Sequence, residues 1–186
     1  MNKQYVITID DSGNDLGAME KLEAHQNGVA HRAISVMVRN SKGQVLLQRR
    51  NESKYHCGGL WSNTCCGHPI PGESAAEAAM RRLAEEMNIS CPLVPAGVFR
   101  YSCKVTDNLS ENELVHLFVG QHDSECAPNP AEVSLVKWVE PNDLESEIDA
   151  NADRFTPWLC LYVRSSPDFI RAQPLSALPS RHPNSD

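Results

Sequence analysis

The run Gly67-His68-Pro69-Ile70-Pro71-Gly72-Glu73-Ser74-Ala75-Ala76-Glu77-Ala78-Ala79-Met80-Arg81-Arg82-Leu83-Ala84-Glu85-Glu86-Met87-Asn88-Ile89 passes from a loop of glycine and proline into a segment with helical periodicity. Ala75, Ala78, Ala79, Leu83 and Met87 recur at the spacing that gathers apolar side chains on one helix face. Ser74 with Glu77 has the form of a capping box, which opens a helix by satisfying its first free N–H groups. The stretch therefore predicts a loop feeding an acidic helix that carries two adjacent arginines. Just upstream, Asn63-Thr64-Cys65-Cys66 brings two thiols beside the glycine and the imidazole, a mixture that few structural loops need.

Strand-like segments lie on both sides of this helix. Residues 5–9 have strand composition and run into Asp11-Ser12-Gly13-Asn14, a turn by its chemistry. Residues 33–38 and 45–48 are β-rich and separated by Asn40-Ser41-Lys42-Gly43, as in a hairpin. Residues 98–105, 114–119 and 135–139 predict three further strands, and residues 141–148 and 157–163 two later helices, the first with acids in its opening turn. Strands before and after a central helix fit an α/β sandwich.

With 186 residues and 41% apolar side chains, the chain is long enough for one packed domain, expected over residues 1–165. The composition then shifts to Ser-Ser-Pro-Asp and a stretch containing Pro174, Pro179 and Pro183, so residues 166–186 are expected to form a C-terminal tail that is partly mobile, chiefly over its last dozen or so residues. No window approaches the roughly 18 apolar residues of a membrane span, and Asp10, Asp11 and Asp15 leave no apolar signal region near the N-terminus. The expectation is a soluble, cytoplasmic protein without a membrane partner. Its seven cysteines are an odd, irregularly spaced set, which argues for reduced thiols. A formal net charge of -7 argues against a sequence-independent nucleic-acid binder, which exchanges basic side chains for phosphate counterions.

Glu111 and Glu113 flank Asn112 just before an apolar run, and residues two apart on an extended chain point to the same face. Alone, such a pair is more often a solvated loop end. Together with His25, His31 and His68 it forms a donor set suited to a divalent ion that accepts both nitrogen and oxygen.

The opening run resembles the Nudix box, Gly-x5-Glu-x7-Arg-Glu-U-x-Glu-Glu-x-Gly-U with U apolar. Gly67, Glu73, Arg81, Leu83, Glu85, Glu86 and Ile89 match it, whereas Arg82 replaces a Glu and Asn88 the final Gly. These departures, with Cys66-Gly67-His68-Pro69, Glu111-Asn112-Glu113 and Phe155-Thr156-Pro157-Trp158, resemble the type I isopentenyl-diphosphate isomerases over most of the chain. The resemblance implies a Nudix-type α/β/α sandwich with a mixed β-sheet. It also implies a metal-dependent allylic rearrangement of isopentenyl diphosphate to dimethylallyl diphosphate through a carbocation, in isoprenoid biosynthesis. A Nudix pyrophosphohydrolase of a nucleoside diphosphate derivative, or a binding module without turnover, are the competing readings.

By the same resemblance His25, His31, His68, Glu111 and Glu113 hold one metal, with magnesium, manganese or zinc all admissible, and Glu86 holds a Mg²⁺ that bridges protein and diphosphate. Cys66 and Glu113 match the catalytic pair, with Tyr101 and Trp158 in support. Cys65, its neighbour on an extended segment, points to the opposite face and reads as a small buried residue. Lys21, Arg50, Lys54 and Arg82 match the positions that bind the diphosphate of the small-molecule substrate. A cation at Arg82, where the hydrolases place a carboxylate, suits holding a diphosphate better than cleaving it.

Overall fold

The structure is a computed structural model that describes residues 4–171. Nine strands and five α-helices follow one another as β1 (Tyr5–Ile9), β2 (Asp15–Glu20), α1 (Lys21–Asn27), β3 (His31–Arg39), β4 (Val45–Arg50), β5 (Trp61–Ser62), β6 (Cys65–Gly67), α2 (Ala75–Met87), β7 (Leu93–Thr106), β8 (Leu109–Gln121), β9 (Val133–Val139), α3 (Pro141–Ala150), α4 (Pro157–Ser165) and α5 (Pro167–Arg171).

All strands join one mixed sheet built around β3. β3 runs parallel to β8, with His31 opposite Glu113 and Ser35 opposite Leu117. It is antiparallel to β6, with Ser35 opposite Cys66, and meets β1 and β4 at its two ends. β7 completes this side as a long hairpin with β8, pairing Tyr101 with Glu113 and Cys103 with Glu111.

Because side chains alternate along a strand, β3 divides its residues between two cores. Ile34, Val36 and Val38 pack with Cys65, Ala78, Ala79 and Leu83 under α2. Ala33 and Met37 pack on the other face with Val115, Leu117, Trp158, Leu159 and Tyr162, beneath α3, α4 and α5. Helices thus cover both faces of the sheet, the sandwich expected from the sequence. Buried on both sides, β3 shows no polar alternation of its own.

α2 begins with the expected capping box between Ser74 and Glu77. It ends at Asn88, which takes the left-handed conformation (φ 52°, ψ 31°) and returns its backbone N–H to Ala84. That conformation explains the box's final glycine, and asparagine is the side chain that best tolerates the same place. Gly67 has a different reason: a Cβ there would lie 2.8 Å from Cγ of Arg82, so its bareness lets the helix approach β6.

Three boundaries differ most from the sequence reading, and one is the start of β8 at Leu109 rather than at residue 114. β7 begins at Leu93, earlier than expected, and accommodates Pro95 and Gly97 through a register shift. Ordered chain also continues past residue 165, because Phe169 and Ile170 of α5 are buried and Arg39 donates to the carbonyls of Asp168, Phe169 and Ile170. Residues 172–186, including the three prolines of the expected tail, lie outside the described residues. Among the described residues no helix is long and apolar enough to cross a membrane.

Candidate active site

The sheet face beneath α4 carries the site. Register places His31, Tyr101, Glu111 and Glu113 on that face, α1 supplies His25 and the loop after β6 supplies His68. Ligand atoms of His25, His31, His68, Glu111 and Glu113 all lie within 4.8 Å of one another. His68 Nε2 is 2.9 Å and His31 Nε2 3.6 Å from Glu113 Oε1, while His25 Nε2 is 3.1 Å from Glu111 Oε2. Tyr101 donates its hydroxyl to the other oxygen of Glu113 at 2.8 Å.

Two of the histidines are oriented by the backbone. His25 Nδ1 lies 2.6 Å from the Lys21 carbonyl and His31 Nδ1 2.7 Å from that of Val29, so each Nδ1–H donates outward and each Nε2 lone pair faces the cluster. His25 Nε2, His31 Nε2 and Glu111 Oε2 are buried without a hydrogen-bond partner. Such atoms cost free energy unless something satisfies them, and three pointing into one mixed N/O cage fit a divalent cation. Burial, and the nearby charges of Lys21, His31 and His25, push His68 well below its ordinary pKa and leave the neutral imidazole that can bind a metal.

The two expected proton carriers are held in different states. Burial raises the Cys66 thiol to about 12, whereas at Glu113 the hydrogen bond and charge of His31, with help from Tyr101, overcome burial and lower the carboxyl to about 2. One rests as an acid and the other as a base, the kind of divergence that separates roles in a proton-transfer site. Cys65 is fully buried in the core under α2, while Cys66 lines the cleft.

That cleft has a volume of about 650 Å³, and its lining includes Lys21, Arg50, Lys54 and Arg82 together with Trp158 and Tyr162. Burial, then the charge of Arg82, lowers Lys21 to about 8. Glu86 accepts from Arg82 at 2.5 Å and from Gln48 at 2.8 Å. The Arg50 guanidinium lies 5.4 Å from the Trp158 ring centre, and the indole N–H donates to Ser62 at 2.9 Å. Arg81 clasps Glu73 through two hydrogen bonds of 2.7 and 2.8 Å and donates to the His68 carbonyl, tying the box to the metal-type cluster. Glu85 pairs with both arginines at the surface, and Trp61, set against Lys137, is not among the residues lining the cleft.

Several neighbours were not expected. His56 Nε2 reaches Glu111 Oε1 at 2.8 Å from an irregular loop. Glu132 pairs closely with Lys54 and lies 3.4 Å from Arg82. Ser35 and Asn63 flank the Cys66 sulfur, and Tyr162 stands behind Ser35. Only the histidine beside a cysteine in the loop 51–60 offered any signal, and nothing in its spacing links it to Glu111.

The NUDIX domain family model matches residues 29–159. A Pectobacterium atrosepticum protein named isopentenyl-diphosphate Delta-isomerase is 42% identical over 167 residues, 90% of this chain and 93% of its own. A Cereibacter sphaeroides protein of the same name is 47% identical, covering 78% of this chain and 83% of its own. In fold, the chain resembles the crystal structure of DR0079 from Deinococcus radiodurans, with a TM-score of 0.73 at 20% identity, covering 87% of this chain and 98% of that one. It also resembles a MutT protein from Methanosarcina mazei Go1, with a TM-score of 0.59 at 20% identity, covering 73% and 91%.

Proposed function

The chain belongs to the NUDIX family and, within it, to the isopentenyl-diphosphate Delta-isomerases, and from that membership we propose that Cys66 and Glu113 are the two proton carriers of its reaction. The protein is an enzyme of isoprenoid biosynthesis that interconverts isopentenyl and dimethylallyl diphosphate. One carbon gains a proton and another loses one, so the site needs both an acid and a base beside the allylic carbons and no nucleophile able to trap the cation. A thiol and a carboxylate that line the same cleft meet that need, and their roles exchange when the reaction runs backward.

The remaining assignments follow from the same chemistry. His25, His31, His68, Glu111 and Glu113 would hold a divalent ion, Mg²⁺, Mn²⁺ or Zn²⁺, which when bound fixes the Glu113 carboxylate and lowers the basicity of its oxygens. Tyr101 orients Glu113 through its hydrogen bond. Trp158 offers an indole face to the carbocation, an attraction of about 2 kcal/mol when water is excluded. Lys21, Arg50, Lys54 and Arg82 grip the diphosphate, the guanidinium groups matching phosphate oxygens in pairs. Glu86 keeps free lone pairs beside its bonds to Arg82 and Gln48 and would hold a Mg²⁺ that neutralises charge on the diphosphate.

The observation that carries this reading is the single sheet face shared by the five-donor cluster and the cleft that Cys66 enters. The test is incubation with isopentenyl diphosphate and Mg²⁺ in deuterated water, followed by proton and phosphorus NMR. Dimethylallyl diphosphate carrying deuterium, with its diphosphate intact, is the expected product. Released phosphate would mean a hydrolase, and an unchanged spectrum a binding module.

A further inference from the structure

The Cys66 thiol sits in a row of polar groups whose protons can be placed one by one. Across the β3–β6 pair, Cys66 lies directly opposite Ser35, and its sulfur is 3.3 Å from Ser35 Oγ. Ser35 Oγ is in turn 2.9 Å from the Tyr162 hydroxyl. On its other side the sulfur is 3.1 Å from Oδ1 of Asn63. Ser35, Asn63 and Tyr162 are all buried.

Asn63 fixes the direction of the row. Its amide nitrogen donates to the carbonyls of Val36 and Cys65 at 3.1 and 2.9 Å, which uses both N–H groups and turns the amide oxygen toward the sulfur. An amide oxygen only accepts, so the Cys66 S–H donates to Asn63. The sulfur is left as an acceptor, and Ser35 must donate to it. Ser35 then accepts from Tyr162, whose hydroxyl has no other hydrogen-bond partner among the described residues. The proton order is Tyr162 to Ser35 to Cys66 to Asn63.

We propose that Tyr162 and Ser35 are positioning residues that hold the Cys66 thiol in one orientation for proton transfer. The inference rests on the assignment of Cys66 as a proton carrier. A cysteine side chain has three staggered rotamers, and the row selects one of them. It also keeps a donor aimed at the sulfur at the moment its proton passes to substrate carbon. The Tyr162 ring is placed independently, edge-on to Phe99 and Phe169 at 5.4 and 5.3 Å. Tyr162→Phe therefore removes the donor and leaves the packing.

The experiment is steady-state kinetics of Ser35→Ala, Tyr162→Phe, the double variant and Cys66→Ala, measured on the metal-loaded enzyme with substrate affinity read separately by diphosphate binding. Misorientation of a reacting group costs up to about 100-fold, so Ser35→Ala should lower kcat on the order of 100-fold and Tyr162→Phe about tenfold, with KM within about twofold. The double variant should be no slower than Ser35→Ala, because Tyr162 reaches the sulfur only through Ser35. A purely structural role for the two hydroxyls would give losses that multiply instead. Activity retained in Cys66→Ala would overturn the thiol's assignment and the row's purpose with it. An inactive Cys66→Ala beside full kcat in Ser35→Ala, or multiplying losses, would overturn the row alone.

Discussion

His56 Nε2 stands 2.8 Å from Glu111 Oε1, so Glu111 has a histidine at each oxygen, with His25 3.1 Å from Oε2. Glu111 is thereby aimed, and only its Oε2 is left without a hydrogen bond for the cluster. Groups that orient a ligating carboxylate typically matter by about 10–100-fold in metal affinity. His56→Ala should weaken divalent-metal binding by that order, measured by competition with a chelator, while substrate diphosphate binding at saturating metal stays unchanged. His56→Gln, whose amide can still donate to Glu111, should recover most of the affinity. Equal metal affinity in His56→Ala and the unaltered protein would show that the histidine only packs.

The adjacent thiols should separate cleanly. Cys66→Ala is expected to abolish isomerisation and leave diphosphate binding largely intact, since none of Lys21, Arg50, Lys54 or Arg82 is touched. Cys65→Ala should keep substantial activity and lose stability on the order of 1 kcal/mol, the cost of a small cavity in the core under α2. Binding by isothermal calorimetry and thermal unfolding of both variants decide the matter, and the reverse pattern would transfer the role to Cys65.

Metal removal should act on stability as well as on turnover. His25 Nε2, His31 Nε2 and Glu111 Oε2 are buried and unsatisfied, so a bound cation stabilises the folded state by mass action. Chelation should abolish activity and lower the unfolding temperature, and adding Mg²⁺, Mn²⁺ or Zn²⁺ should restore both. Turnover that persists in excess chelator would remove the metal from the reaction.

The Arg81–Glu73 clasp predicts a pH signature. The hydrogen bonds from Arg81 lower the Glu73 pKa from its ordinary value, against a smaller effect of burial. A depressed carboxyl contributes stability above the ordinary range and loses it as pH falls through the folded value. The unfolding temperature of Glu73→Gln should therefore lie below that of the unaltered protein near neutral pH, and the gap should shrink as the solution is acidified. A gap independent of pH would mean that the carboxylate's charge does not contribute.

What could be read from residues alone followed the range of each interaction. α2 with its capping box, read from helical periodicity, and the strands 5–9, 33–38 and 114–119, read from composition, are local patterns, and each lies within the element observed there. The cluster of His25, His31, His68, Glu111 and Glu113 was legible because recognisable motifs carry those residues in order. The row behind Cys66 was not, since Ser35 lies 31 positions from Cys66 and Tyr162 lies 127 from Ser35, and only strand register and helix packing join them. His56 belongs to an irregular loop with no period to reveal its direction. β5 and β6, two and three residues long, are too short to show alternation. Ser165-Ser166-Pro167 looked like an exit from the domain because the anchoring of Phe169 depends on Arg39, far away in sequence.

Asn88 supplies a test of the box as a structural element rather than a chemical one. Its φ of 52° is accessible to glycine and tolerable to asparagine, but for alanine the left-handed conformation costs about 1–2 kcal/mol. Asn88 also donates its side-chain amide to the Ala127 carbonyl, which glycine would forfeit. Asn88→Ala should thus destabilise the protein by about 2 kcal/mol or somewhat more, since strain and a lost hydrogen bond act together. Asn88→Gly should cost about 1 kcal/mol or less, because relief of strain offsets part of the lost bond. Chemical denaturation of the two variants measures both values. If alanine proved as stable as glycine, the left-handed turn could not be what the final position of the box requires, and the reason for its glycine would have to lie in contacts beyond α2.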